Sequence, residues 1–112
     1  MGKDVGFWVE APGGGVVAFF HAIDPEFFCD PDGYLELFLH ADSQSAVKER
    51  ARGFGITYPG LKWDRRREWI TDDDVQGVVS SASGAVWRRE TDDTDGTGKY
   101  RDIKDWPPKA EP

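Results

Sequence analysis

The sequence has few of the residues with which small proteins build disulfides and metal sites. Only one of its 112 residues is cysteine and only two are histidine. A single cysteine, Cys29, permits no internal disulfide, which excludes a secreted scaffold held together by several disulfides. Cys29, His21 and His40 also show none of the Cys-x-x-Cys or His-Glu-x-x-His spacings that are typical of zinc sites. We therefore expect no metal and no cofactor.

Long hydrophobic runs are absent as well. The longest unbroken apolar run covers residues 16–20, whereas a membrane-spanning helix needs about 20 apolar residues. The first residues contain no apolar stretch of the kind found in a signal peptide, and Gly6 stands where N-myristoylation needs Ser or Thr. This pattern predicts a cytoplasmic protein without a membrane partner.

No group of residues in the sequence has the spacing of an assembled active site. Cys29 lies between the two histidines, but no Gly-x-Ser-x-Gly or comparable nucleophile pattern occurs. The three acids at residues 72–74 suit the first turn of a helix, where the helix dipole favours negative charge. The glycines within residues 11–15 match neither common phosphate-binding pattern. We therefore expect a protein that is not an enzyme.

Aromatic residues, by contrast, are plentiful. The chain contains five Trp, seven Phe and three Tyr, and each large ring buries about 150–250 Å² in a core. A chain of 112 residues is long enough for one such core and too short for two. We expect one domain over residues 1–106 and a flexible tail over residues 107–112.

Four segments have the composition and alternation of β-strands. They cover residues 5–10, 16–23, 34–41 and 85–90. The second is apolar on both faces, which is typical of a strand in the middle of a sheet. Residues 62–69 are predicted as a further strand or an ordered loop, and residues 100–106 as an edge strand or a segment lying across the body.

Two segments have helical spacing and N-terminal caps. The first begins at Asp42 or Ser43 and runs to about Phe54. The second begins after Thr71 and ends at Gly84. Its apolar stripe consists of Val75, Val78, Val79 and Ala82. The order of elements predicts an α+β fold, in which a largely antiparallel sheet of four to five strands carries both helices on one face.

Charge is unevenly distributed along the chain, whose net charge is −7. Residues 1–47 contain one basic and eight acidic residues, whereas residues 48–67 contain seven basic and two acidic residues. An acidic surface attracts a basic protein partner and accelerates its association. The charge pattern therefore favours binding of a basic protein.

From these observations we expect a non-enzymatic binding protein of the inhibitor or immunity type, which occludes a basic surface of its partner. Such a protein would be a monomer or a small homo-oligomer. The expected contact residues are the acids within and beside the loop that precedes the third strand. They are Asp24, Glu26, Asp30, Asp32, Glu36 and Asp42.

The segment 62–69 supports an alternative hypothesis, since it interleaves basic residues with two tryptophans. This composition is typical of a surface that stacks bases and contacts phosphates, and it predicts a module that binds single-stranded nucleic acid. The residues concerned are Trp63, Arg65, Arg66, Arg67 and Trp69. The net negative charge of the chain argues against this alternative, because phosphate contacts supply much of such affinity.

Overall fold

The computed structural model describes residues 6–22, 35–54, 60–89 and 100–105. The strands are β1 (Gly6–Glu10), β2 (Val16–Ala22), β3 (Leu35–Ala41), β4 (Leu61–Trp63), β5 (Ala85–Arg89) and β6 (Arg101–Asp102). The helices are α1 (Gln44–Gly53) and α2 (Asp72–Val79), and a single 3-10 turn, Ile103–Asp105, follows β6. The α+β class predicted from the sequence is confirmed. No helix in these ranges has the length and apolar character needed to cross a membrane.

All the strands belong to one sheet, in the order β4-β1-β2-β3-β5-β6. Strands β1, β2 and β3 form an antiparallel meander, which β5 and β6 extend with further antiparallel pairs. At the other edge β4 pairs with β1 in parallel. The sheet is therefore mixed and six-stranded: it is largely antiparallel, as expected, but it has more strands than the four to five expected. The two edge strands have three and two residues, which is too short for a hydrophobic alternation to be visible in the sequence.

The two helices cover opposite faces of this sheet. Phe19 of β2 belongs to the same core cluster as Val75 and Val78 of α2. The next residue, Phe20, belongs to a second cluster with Val47 of α1. Because successive side chains of a strand point to opposite faces, each helix packs on its own side. The expectation that both helices lie on one face is therefore wrong. The sheet lies between two half-cores, which we call the α1 face and the α2 face.

The start of each helix agrees with the sequence prediction. The Ser43 side chain accepts a hydrogen bond from the backbone N–H of Ala46 and caps α1. Thr71 and Asp74 form a reciprocal capping box at the start of α2. Both arrangements satisfy backbone donors that have no partner within the helix.

The end of α2 differs from the prediction, because the helix stops at Val79 and not near Gly84. The Ser80 hydroxyl donates to the Gln76 carbonyl, and the Ser81 hydroxyl donates to the Val78 carbonyl, each at 2.7 Å. The Val78 carbonyl, which the N–H of Ala82 would take in a continued helix, is thus occupied by the N–H and the hydroxyl of Ser81. The helix therefore ends beside Ser80 and Ser81, before it reaches Gly84.

Candidate functional site

Four of the expected contact acids, Asp24, Glu26, Asp30 and Asp32, lie outside the described residues. Of the other two, Glu36 accepts a hydrogen bond from Arg88 Nε at 2.8 Å, and its side chain is 15% exposed. The positive charge of Arg88, on the neighbouring strand β5, therefore balances the negative charge of Glu36. Asp42 is exposed at the end of β3 and lines a groove.

The Glu36–Arg88 pair belongs to a polar network on the α2 face. Arg88 Nη1 lies 3.4 Å from Asp74 Oδ1 and 3.2 Å from the hydroxyl of Tyr100. The Tyr100 hydroxyl donates in turn to Asp74, whose side chain is buried. The Arg88 guanidinium also lies over the rings of Phe38 and Tyr100, 5.5 and 5.2 Å from their centroids. The network therefore connects β3, β5, α2 and the segment that leads into β6.

The environment of this network shifts two pKa values. Burial, assisted by the hydrogen bond to Asp74, raises the pKa of Tyr100 well above its ordinary value. Burial lowers the pKa of Arg88, but attraction to Glu36 and Asp74 outweighs this effect, and the net shift is upward. Tyr100 therefore stays protonated and Arg88 stays charged near neutral pH. Both states suit a structural network, whereas a general base must give up and take protons near pH 7.

A groove of about 720 Å³ lies at the end of β1, beside the N-terminus of α1. Glu10 and Asp42 are exposed carboxylates on its walls. Trp8 and Val16 contribute apolar surface to the same groove. The groove therefore combines negative charge with an aromatic side chain.

The turn between β1 and β2 shapes one wall of the groove. The backbone N–H of Ala11 donates to the Gly15 carbonyl at 3.0 Å, and that of Gly14 donates to the Ala11 carbonyl at 3.1 Å. Gly15 has a φ of +79°, and a Cβ at this position would lie 2.5 Å from the carbonyl oxygen of Ala41. The wall thus depends on a glycine both for backbone conformation and for close packing against the end of β3.

Trp63 extends the aromatic surface of the groove. It is the register partner of Trp8 across the parallel pair of strands, and their rings stack with centroids 6.2 Å apart. Trp63 is 58% exposed. An exposed tryptophan beside a groove is a residue type that often dominates the energy of protein–protein binding.

Trp69, the second exposed tryptophan of the sequence-predicted surface, lies on the other side of the sheet. It stacks on Phe7 with centroids 4.9 Å apart and an interplanar angle of 12°, and Phe7 belongs to the core of the α2 face. Since Phe7 and Trp8 are successive residues of β1, Trp69 and Trp63 lie on opposite faces. The expected single surface running from Trp63 to Trp69 is therefore divided into two.

The loop of residues 64–70, which we call the arginine loop, connects these two faces. Its first residue, Asp64, is buried, and its carboxylate accepts hydrogen bonds from the backbone N–H groups of Glu68, Trp69 and Ile70 at 2.7–2.9 Å. The backbone N–H of Asp64 donates to the Trp8 carbonyl. Sequence reasoning missed this role of Asp64. The available signal was an Asp at the start of a polar segment, a residue that often accepts from following N–H groups.

Among the described residues, no three His, Cys, Asp or Glu side chains come together as the ligands of a metal ion would. Within the described residues, exposed charge lies beside an exposed tryptophan at the groove on the α1 face and at the arginine loop. Comparison of the chain with protein-family models, with curated proteins and with solved structures found no match.

Proposed function

We propose that this protein is a non-enzymatic binding protein of the inhibitor or immunity type, whose groove holds a basic segment of a protein partner. One observation carries the proposal: the exposed carboxylates of Glu10 and Asp42 stand on the walls of a groove that Trp8 lines. Trp63 enlarges the aromatic surface beside it.

This arrangement suits an arginine or lysine side chain of the partner. The aliphatic stem of such a side chain packs on an indole ring, and its cation is attracted to the ring face. Glu10 and Asp42 supply the opposite charge. Since exposed ion pairs contribute only about 0.2–1 kcal/mol each, the tryptophans contribute most of the affinity and the carboxylates mainly accelerate association.

The wider charge distribution supports the same class of partner. The net charge of −7 attracts a basic protein from a distance and makes its association sensitive to salt. We propose that Asp24, Glu26, Asp30 and Asp32 extend the contact surface. Charge reversal at Asp30 and Asp32 should then slow association and weaken its dependence on salt.

A short arginine-rich peptide is a suitable probe of the groove. We expect it to bind at low salt and to shift the indole N–H resonances of Trp8 and Trp63 in NMR spectra. Asp42→Asn and Glu10→Gln should each weaken binding about two- to fivefold, the range that exposed ion pairs give. Trp63→Ala should weaken it at least about fivefold, as an aromatic anchor does.

Asp73→Asn is the matched control, because it removes one exposed carboxylate from α2 on the opposite face. It should leave the affinity for the peptide nearly unchanged. If Asp73→Asn weakens binding as much as Asp42→Asn does, the peptide responds to net charge alone and the groove is not the site. Peptide-induced shifts that spare both Trp8 and Trp63 would overturn the proposal as well.

A further inference from the structure

The arginine loop has a fixed shape before any ligand arrives. The Asp64 carboxylate binds three successive backbone N–H groups, from residue 68 to residue 70. The loop is closed further by a hydrogen bond of 3.2 Å from the Arg67 N–H to the Asp64 carbonyl. A loop held in this way loses little conformational freedom on binding, which favours affinity.

One face of the Trp69 ring is available for stacking. The ring lies nearly parallel to the rings of Phe7 and Phe19, with interplanar angles of 12° and 15°. These contacts cover the side that faces the core, while Trp69 remains 50% exposed. The opposite side of the indole therefore faces solvent as a flat aromatic surface. Every nucleobase can stack on such a surface.

Basic residues accompany Trp69 in this loop and in the strand that precedes it. Arg65 and Arg66 are exposed in the same loop. Arg67 is also partly exposed, although its Nη1 lies 3.3 Å from Asp72. Lys62 is exposed and is the register partner of Phe7 across the parallel pair. Register partners carry their side chains on one face, so Lys62 lies on the same face as Trp69.

We propose that the arginine loop binds single-stranded nucleic acid, with one base stacked on the free face of Trp69 and the adjoining phosphates held by Lys62, Arg65 and Arg66. This site is separate from the groove on the α1 face and does not depend on the function proposed for that groove. Trp63 takes no part in it, because its ring lies on the other face of the sheet. The negative charge of the rest of the protein confines the strand to this loop and keeps the bound segment short.

The test is the binding of a short fluorescent oligothymidylate at low salt. Trp69→Leu should weaken binding at least about fivefold, since stacking on one aromatic ring contributes about 1–3 kcal/mol per base. Trp69→Phe, which preserves a ring in the same place, should keep most of the affinity and guards against a loss caused by misfolding. Trp63→Leu makes the same substitution at the other exposed tryptophan. It serves as the control and should leave oligonucleotide binding unchanged.

The salt dependence provides a second readout. Replacing Arg65 and Arg66 together by glutamine should reduce the slope of log K against log salt by about 1.4, or about 0.7 for each lost phosphate contact. Lys104→Gln, at the opposite edge of the sheet, should leave the slope unchanged. Equal losses in the Trp63→Leu and Trp69→Leu variants would overturn the proposal. Thymidine monophosphate binding as tightly as the oligonucleotide would also overturn it, in favour of a free-nucleotide site.

Discussion

The carboxylate of Asp74 accepts a hydrogen bond from the hydroxyl of Tyr100, and the same carboxylate closes the capping box at the start of α2. The two residues are 26 positions apart in the sequence. Their contact attaches the segment that leads into β6 to a helix on the α2 face. Since Arg88 touches both groups, the edge of the sheet and the start of α2 form one polar unit.

Removal of the Tyr100 hydroxyl should weaken this unit. We expect Tyr100→Phe to lower the free energy of unfolding by about 1–2 kcal/mol, because Asp74 loses a donor in a place from which water is largely excluded. Urea denaturation measures the change. Tyr100→Leu should cost more, because it also removes the edge-on ring contact with Phe38. A Tyr100→Phe variant with unchanged stability would show that the hydroxyl contributes nothing.

The raised pKa of Tyr100 predicts a loss of stability in alkali. The folded state favours the protonated phenol, so this stabilisation is complete below the ordinary tyrosine pKa of about 10 and is lost as the pH rises through the higher folded-state pKa. The free energy of unfolding should therefore fall more steeply above about pH 10 in the wild type than in Tyr100→Phe. Urea midpoints measured across this range give the comparison. Parallel curves for the two proteins would contradict it.

Asp64 should matter far more for stability than its exposed neighbours do. Asp64→Ala leaves backbone N–H groups of the arginine loop without their acceptor, and we expect a loss of about 2–3 kcal/mol. Glu68→Ala, within the same loop and exposed, should change the stability by less than about 0.5 kcal/mol. Chemical denaturation of both variants provides the measurement. Similar losses in the two would mean that the Asp64 carboxylate does not hold the loop.

Two glycines of the β1–β2 turn allow steric contact to be separated from backbone strain. Gly13 and Gly15 both have positive φ, but a Cβ meets nothing at Gly13 and comes within 2.5 Å of the Ala41 carbonyl at Gly15. Gly13→Ala should lower stability by about 1–2 kcal/mol through strain alone. Gly15→Ala should lower it by about 1–3 kcal/mol more, as measured by thermal and urea unfolding. Equal effects would contradict the close packing of this turn on β3.

The separation of the two half-cores predicts additive effects. Val47 belongs to α1 and Val78 belongs to α2, and both side chains are fully buried. Val47→Ala and Val78→Ala should each cost about 1.5–3 kcal/mol. The double variant should show the sum within about 0.5 kcal/mol, because the sheet keeps the sites apart. A larger interaction energy in the double-mutant cycle would indicate that the two valines share one core.

The local signals in the sequence predict the elements well. Ser43 and Thr71 cap helices where their spacing indicates. The doubly apolar pattern of β2 also indicated its central position. The same pattern requires cover on both faces, and this consequence would have placed the helices correctly.

The site was harder to predict because it depends on contacts between distant parts of the chain. From the sequence alone Glu36 is expected to be a contact residue, but Arg88 of β5 pairs with it and neutralises its charge. Trp63 and Trp69 share one short segment, yet successive residues of β1 direct them to opposite faces. The sequence pattern of that segment contains no information about the strand that it pairs with, so composition alone suggested a single surface.

The placement of the helices on opposite faces has a consequence for the path of the chain. From β3 the chain crosses the sheet on the α1 face to reach β4 at the far edge, and it returns on the α2 face to β5. The second half of the chain thus passes along one face of the β1–β3 meander, pairs with β1 through β4, and passes back along the other face.

This path also predicts an order of folding. Because meander contacts are closer in sequence than the β1–β4 pairing, we expect the meander to fold first and the β1–β4 pairing to form last. Substitutions in the β1–β4 strand pairing should then change the unfolding rate more than the folding rate. Stopped-flow kinetics can measure both rates. On this view Trp8 and Trp63 meet only when the domain closes, and the groove becomes complete at the final step of folding.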